Sequence, residues 1–538
     1  MQNEQRTARL IAGALILLPP TASLAQPAHE DSAFGLFGAF AATEYGYFKS
    51  RMGFNNEQDW TWVEDHFRNL GAHWTRSNLQ LLWDIVEPVL GGGYVWNNPM
   101  LTDPLIRRVY REGNEVHWLG VFHEGGGPIP PPPPKQQLRN PLSYPNEYQA
   151  FVRAAVERYD GDGIDDAAPG VWVKYWQAGN EIMGWQSSGR TVDDYVQFVR
   201  LLRAASRAAD PQAKLVLIAP TDGGHMDPWL TQVIGALASE QAFDVIDVHH
   251  WGAAQTWRMP AIAQYRQLLD SKGLSHVQIW SCEHGTWQGQ PTGQPSQTEQ
   301  DQARSLVKRY VFNSNSGLDK LFWNNLMEWY QFGGNAGSIF NSMGLVTDGQ
   351  GPGEDPARFN TPRIAYWTYR LLAARIDTHL ATRLGLMPEV YVEGQVYGYA
   401  YRRASAARRL YFLWSEVGVR NVTFSVGTPI LRLTNLIPDR YGKILEQRSL
   451  YAAGGKVRAT VATDPVVIAE LLLGDLNCDD AVNNFDIDAF VLALTDPAGY
   501  KAAYPDCERD LGDINGDGVV DNFDIDPFVE CLSQGGCP

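Results

Sequence analysis

From Phe34 to Ala374 the chain alternates short apolar runs with longer segments whose apolar residues recur every three or four positions. The runs Phe34–Phe40, Ala72–Arg76, Val116–Phe122, Val171–Ala178, Lys214–Ala219, Val245–His249, Val277–Cys282 and Lys320–Trp323 read as eight strands. Most are bounded by Gly, Pro, Asn or Asp. Several are apolar throughout, as strands covered on both faces are. Asp59–Leu70, Pro145–Tyr159, Val192–Ala209, Met259–Asp270, Glu299–Asn313 and Pro362–Ala374 read as helices between them. In the third of these, Val192, Val196, Val199, Leu202 and Ala205 fall on one helical face. Eight strand–helix units predict a (β/α)8 barrel, a TIM barrel, over residues 30–376. An open doubly wound sheet would compete, but no Gly-x-Gly-x-x-Gly follows the first strand and no P-loop occurs.

Beyond the barrel the period changes. Val390–Val392, Tyr397–Tyr401, Arg409–Trp414, Val422–Val426 and Val457–Val461 alternate or are rich in β-formers, with Gly, Asn and Pro between them. A small all-β sandwich is expected over 377–472. Residues 473–538 change character again. Asp475, Asn477, Asp479, Asn483 and Asp486 are repeated 38 residues on as Asp513, Asn515, Asp517, Asp521 and Asp524. These are positions 1, 3, 5, 9 and 12 of an EF-hand loop, and hard oxygen ligands at that spacing suit Ca²⁺. Position 12 is Asp rather than Glu, and the first copy has Asp480 where Gly is expected.

This tail accounts for most of the charge. The chain of 538 residues carries a formal −17. From Asp475 onward there are 13 Asp and 2 Glu against Lys501 and Arg509, a net −13. The remainder is nearly neutral, and the acidity of the whole argues against a general nucleic-acid binder, which would need a basic face. Hydrophobic residues make up 44% and charged residues 20%, a globular composition.

The chemistry is expected where barrel strands end at their C-terminal face. The fourth strand runs into Asn180-Glu181, and the seventh into Glu283, followed by His284-Gly285. These strands face each other across a barrel mouth. Two opposed carboxylates are what glycosidic cleavage requires, one as proton donor and one as nucleophile or base. The pattern resembles glycoside hydrolase clan A, the retaining (β/α)8 glycosidases, over residues 34–376. The resemblance implies that Glu181 is the general acid and base and Glu283 the nucleophile. Arg76 would hydrogen-bond the nucleophile and Asn180 the sugar 2-OH. His249 and Trp251 match a His-x-aromatic signature, and Trp323 a tryptophan platform. Glu328 resembles, loosely, the xylosidase and iduronidase type. Trp74, Trp83, Trp185, Trp287 and Trp329 are further candidate sugar platforms, each more often core than platform. Cys282 is expected as a buried free thiol pointing away from Glu283, since neighbours on a strand alternate.

The duplicated acidic loops resemble a dockerin domain, which implies bound Ca²⁺ and a cohesin-like protein partner. Asn484-Phe485 and Asn522-Phe523 stand where cellulosomal dockerins favour small hydroxyl residues. Met1–Ala25 reads as a secretory signal, with Arg6 and Arg9 before the apolar run Leu10–Leu18, and export fits the four cysteines of the tail. Those cysteines can pair in three ways. The run is too short to span a bilayer. The chain therefore reads as a secreted, retaining β-glycoside hydrolase acting on a polysaccharide or oligosaccharide, with no catalytic cofactor. The alternative is a non-catalytic carbohydrate-binding protein on the same scaffold, tethered through its dockerin.

Overall fold

A computed structural model describes residues 29–37, 61–76, 80–96, 116–123, 139–168, 170–221, 223–328, 337–351, 354–404, 408–504 and 507–537. The signal-like segment, the three glycines 125–127, the five prolines 130–134 and Trp329 lie outside them.

Eight parallel strands close on themselves: β1 (Phe34–Phe37), β2 (Trp74–Arg76), β3 (His117–Phe122), β4 (Tyr175–Ala178), β5 (Lys214–Leu217), β6 (Val245–Asp247), β7 (Gln278–Gly285) and β8 (Lys320–Asn324). Each pairs with the next in sequence, and β8 pairs with both β7 and β1. The expected barrel is present. Helices α1 (Thr61–Leu70), α2 (Pro145–Glu157), α3 (Val192–Ala209), α4 (Pro228–Leu237), α5 (Ala261–Ser271), α6 (Glu299–Asn315) and α7 (Ile364–Ile376) cover it. Local sequence fixes their starts. Thr191 and Asp194 form a capping box at α3, as Thr298 and Asp301 do at α6. The sequence pattern did not single out α4, yet Asp227 caps it, accepting from the amides of Trp229 and Leu230, with Pro228 at the first position.

Strand alternation divides the barrel in two. Trp74, Leu119, Tyr175, Val216, Val245, Trp280, Cys282 and Phe322 fill the interior. Their neighbours Leu36, Trp118, Trp176, Leu217, Ile246 and Trp323 belong to the large cluster shared with the helices. Gly35 faces inward because Phe322 fills the space beside it: a Cβ there would sit 2.7 Å from the ring. Gly35→Ala is therefore expected to cost on the order of 1–3 kcal/mol, read from urea denaturation. A midpoint unchanged from the parent would contradict this packing.

Residues beyond α7 form antiparallel sheets. Strands β9 (Ala381–Leu386), β10 (Val396–Arg403), β11 (Arg409–Ser415), β12 (Arg420–Ser425), β13 (Ile430–Asn435), β14 (Gln447–Tyr451), β15 (Lys456–Val461) and β16 (Val466–Glu470) make a six-stranded sheet, ordered β9-β10-β11-β16-β13-β14, and the pair β12-β15. The two sheets share one apolar core. Val390–Val392, read as a strand, is instead a turn with a single bridge from Val392 to Val396. Its three apolar residues serve a tight reversal into β10. The acidic tail folds as two loops with short helices, α8 (Ile487–Thr495), α9 (Pro497–Ala503) and α10 (Ile525–Gln534). Its disulfides pair Cys478 with Cys507 and Cys531 with Cys537. Among the described residues no helix is long and apolar enough to cross a membrane.

Candidate active site

The inward rows of β2, β4, β6 and β7 turn polar as they reach the C-terminal mouth. Two residues past Trp74, Tyr175 and Val245 come Arg76, Gln177 and Asp247, all buried. Arg76 is the hub. Its Nε donates to Gln177 Oε1 at 2.8 Å, Nη1 to Glu283 Oε1 at 2.6 Å and Nη2 to Asn180 Oδ1 at 2.6 Å. Asn180 thereby keeps its amide NH₂ to donate elsewhere. Burial opposes the Arg76 charge, but Glu283 and Asp247 together outweigh it and hold the guanidinium above its ordinary range.

His249 is the second hub. Its Nδ1 lies 2.9 Å from Glu181 Oε1 and 3.7 Å from Glu283 Oε1, and its Nε2 lies 3.0 Å from Asp247 Oδ2. Asp247 also accepts from Gln177 Nε2 at 2.7 Å and from the Cys282 amide at 2.8 Å. Burial works against a charged imidazole. The carboxylates of Glu283 and Asp247 win, and push His249 up to about 10. Asp247 is held below the usual carboxylate range: burial opposes this, and His249, Arg76 and the Cys282 amide together more than offset it. His123, just past β3, is pushed the other way, down to about 4, by burial and then by the charge of Arg76.

Carboxylate oxygens of Glu181 and Glu283 lie within 4.8 Å of each other. The two groups differ in access. The Glu181 side chain is 20% exposed and that of Glu283 9%. Glu181 directly follows the strand ladder, bridging Ala219 and then leading into a short helix at Ile182–Ser187. Glu283 departs from the expected arrangement. It lies inside β7, which runs on to Gly285. The pairing of β7 with β8 shifts register between Leu321–Ser281 and Trp323–His284. That extra residue is a bulge, and bulges re-aim side chains. Cys282 packs inside the barrel while Glu283 meets Arg76 at its mouth. The expectation that the two point apart is thus corrected: strict alternation fails at the bulge.

The aromatic candidates separate clearly. Trp251 remains partly exposed beside His249, with ring centroids 5.5 Å apart, and its buried Nε1 makes no hydrogen bond among the described residues. Trp323 is a correction. It is fully buried in the cluster shared with the helices, donates to the Met343 carbonyl at 3.1 Å, and offers no face to a ligand. Trp74, Trp83, Trp185 and Trp287 are core residues. Glu328 is buried against Arg363 at 2.7 Å and accepts from Gln288 at 3.0 Å, an internal ion pair. Burial pushes its carboxyl up to about 7. His250 is buried and contacts the Thr256 carbonyl through Nε2 at 2.8 Å.

Sequence reasoning overlooked Gln177, Asp247 and His123. For the first two the signal was present: polar residues at even spacing from inward-facing Tyr175 and Val245. A polar group inside an apolar strand needs a buried partner, and here the partners are Arg76 and His249.

The two acidic loops wind alike. Position 4 has left-handed backbone in both, at Cys478 (φ 58) and Gly516 (φ 73), and so does position 6, at Asp480 (φ 74) and Gly518 (φ 92). Asp475 accepts from the amides of Asp479 and Asp480, and Asp513 from those of Asp517 and Gly518. Asn477, Asp479 and Asn483, with Asn515, Asp517 and Asp521, each take an amide two residues on. Asp486 and Asp524 close the loops on amides of their first turns. Asp480, the departure at position 6, pairs with Arg403 at 3.0 Å and with Arg408, which ties the first loop to the strands β10 and β11. Burial, reinforced by Asp486 and Asp479 against the pull of Arg408, pushes Asp475 up to about 6.

No protein-family model matches the chain, and no curated protein matches it. Solved structures do. A family 39 glycoside hydrolase from Bacteroides cellulosilyticus WH2 matches with TM-score 0.52 at 16% identity, over 77% of this chain and 79% of that one. A glucosidase from Croceicoccus marinus matches with TM-score 0.51 at 14% identity, over 76% and 91%. AbfB, a family 51 alpha-L-arabinofuranosidase from Bifidobacterium longum, matches with TM-score 0.50 at 13% identity, over 82% and 95%. At such identities the likeness is one of fold.

Proposed function

We propose that the chain is a retaining β-glycoside hydrolase acting on a polysaccharide or oligosaccharide. One observation carries this reading: Arg76, Asn180, Glu181, His249 and Glu283 converge at the C-terminal mouth of a closed barrel, with the two glutamates in close approach. Retaining enzymes hold their carboxyl groups about 5–5.5 Å apart, whereas inverting ones need about 6.5–9.5 Å to admit a water. One oxygen of each glutamate lies within 4.8 Å of the other's, a close pair of the kind the first arrangement needs. The names of the matched structures, glycoside-cleaving enzymes all, favour the same class.

In this mechanism Glu283 attacks the anomeric carbon and forms a glycosyl ester. The bond to the leaving oxygen breaks as Glu181 gives that oxygen its proton. Glu181 then takes a proton from water, which attacks the anomeric carbon from the face the leaving group vacated and releases Glu283. Arg76 holds Glu283 in place through its 2.6 Å contact. The free amide of Asn180 is placed to donate to the sugar 2-OH, a contact that strengthens in the transition state. Trp251 is the aromatic wall beside His249. The test is a screen of plant, algal and microbial polysaccharides with the anomer of the first product read by NMR. Retention is expected, and an inverted first product would rule out the double displacement.

We infer further that the acidic loops hold two Ca²⁺ ions in a dockerin-like module that docks a cohesin-like protein, and that the chain is exported. Repeated oxygen ligands and matching loop backbones support the Ca²⁺ sites; the signal-like segment and two disulfides support export. The loops fit the ion, since each ligand position is already turned by the loop's own amides. Calorimetry should count two Ca²⁺ in the parent and one in Asp524→Ala. With free Ca²⁺ about 1,000-fold above Kd, chelation should lower stability by about 4 kcal/mol per site. Capture of a cohesin-like partner should disappear with chelator; capture that persists would separate docking from Ca²⁺.

A further inference from the structure

Outside the barrel mouth, three of the chain's 11 histidines meet at one place. His29 lies just ahead of β1, His73 directly precedes β2, and His379 follows α7. In a parallel barrel the residues before a strand sit at the opposite end from the candidate active site. Ring centroids are 4.5 Å apart for His29 and His73, 4.1 Å for His29 and His379, and 5.7 Å for His73 and His379. One ring nitrogen from each lies within 4.8 Å of the others, and all three residues are half-buried.

We propose that His29, His73 and His379 bind one borderline transition-metal cation, of the Zn²⁺ or Ni²⁺ class, which staples the segment entering the barrel to the segment leaving it. The donors select the cation. Imidazole nitrogen suits Zn²⁺, Ni²⁺ and Cu²⁺, whereas Ca²⁺ requires oxygen. A tetrahedral site with bonds of about 2.0–2.1 Å sets its nitrogens about 3.3 Å apart. Metal binding would draw the three nitrogens together from their present spacing. Three protonated imidazoles at this range would repel one another, so a cation shared among neutral rings is the favourable charged state.

A buried carboxylate stands beside one ring of the cluster. His379 Nδ1 is buried and has no hydrogen-bond partner, although Asp377 Oδ2 lies 3.4 Å away. Asp377 is itself buried and fixed, accepting from Ser32 Oγ at 2.7 Å and from the Ala33 amide at 2.8 Å. A carboxylate held beside a ligating histidine is the usual outer support of such sites. Three histidines leave one position for water. Because the site lies at the other end of the barrel, the metal would act on the join between the barrel and the strands that follow it.

The test uses the full chain with saturating Ca²⁺, so that the acidic loops are filled. Zn²⁺ is titrated in competition with a chromophoric chelator. One equivalent is expected in the parent, with an upward shift of the melting temperature. His29→Ala and His379→Ala should each weaken that equivalent on the order of 100-fold. His276→Ala, which removes an exposed histidine, and Glu283→Gln should leave it unchanged. Circular dichroism checks folding, and His29→Ala, altered ahead of the first strand, keeps the test decisive if His379→Ala unfolds. With Cu²⁺ as probe, electron paramagnetic resonance should show coupling to three nitrogens. No bound equivalent, or the same affinity in the parent and His29→Ala, overturns the proposal.

Discussion

Glu283→Gln should reduce turnover at least about 10⁴-fold while leaving sugar binding intact. The substitution is close to isosteric. An amide oxygen at position 283 can still accept from Arg76 Nη1, and Arg76 keeps Gln177 and Asn180 as acceptors. What is lost is the anionic nucleophile, and no other group takes its place. Asp247 is fully buried and engaged by His249, Gln177 and the Cys282 amide. Cys282 is buried in the barrel interior, where burial and then the charge of Asp247 push its thiol up.

Small-molecule rescue separates the two glutamates. In Glu283→Ala, azide can fill the vacated space and attack from the nucleophile's face, giving a glycosyl azide of inverted configuration. In Glu181→Ala, the ester still forms on an activated substrate, and azide attacking from the opposite face gives a retained product. Product configuration by NMR and turnover by reducing-end release are the measurements. Turnover of Glu283→Gln within tenfold of the parent would falsify Glu283 as nucleophile. The same azide stereochemistry from both variants would remove the division of roles.

The barrel was legible because its strands carry long-range information in a local form. Strands buried on both faces read as unbroken apolar runs, as at Leu215–Ala219, and the apolar face of Val192, Val196, Val199, Leu202 and Ala205 marks a helix. The site was legible in its carboxylates, since Glu181 directly follows an apolar strand. What escaped was tertiary. The bulge that brings Glu283 to Arg76 is a property of the β7–β8 pairing, and no local pattern in Ser281-Cys282-Glu283-His284 announces it. Trp323 was misread because one residue of register decides whether a side chain faces the cleft or the helices. Phe322 faces inward, so Trp323 cannot. Asp480 looked like a flaw in a Ca²⁺ loop until Arg403 and Arg408 supplied its partners.

His249→Asn should destabilise the protein at neutral pH and flatten its stability between pH 6.5 and 10. The imidazole is fully buried, and its neighbours Glu181, Asp247 and Glu283 are all carboxylates. Its folded value of about 10 stands above the about 6.5 of an unfolded histidine. A group shifted upward on folding contributes fully below its unfolded value and loses that contribution as pH rises through the folded one. The parent should therefore lose on the order of 5 kcal/mol from this group between pH 6.5 and 10. Removing the cation leaves Asp247 buried without its main counter-charge, a loss of about 3–5 kcal/mol at neutral pH. Partial exposure of Glu181 eases the cost on that side. Urea denaturation of both proteins at pH 6, 8 and 9.5 gives the comparison. The gap between them should be widest at pH 6 and close toward pH 10. Parallel curves across that range would mean that His249 is neutral in the folded protein and that Arg76 alone balances the carboxylates of the mouth.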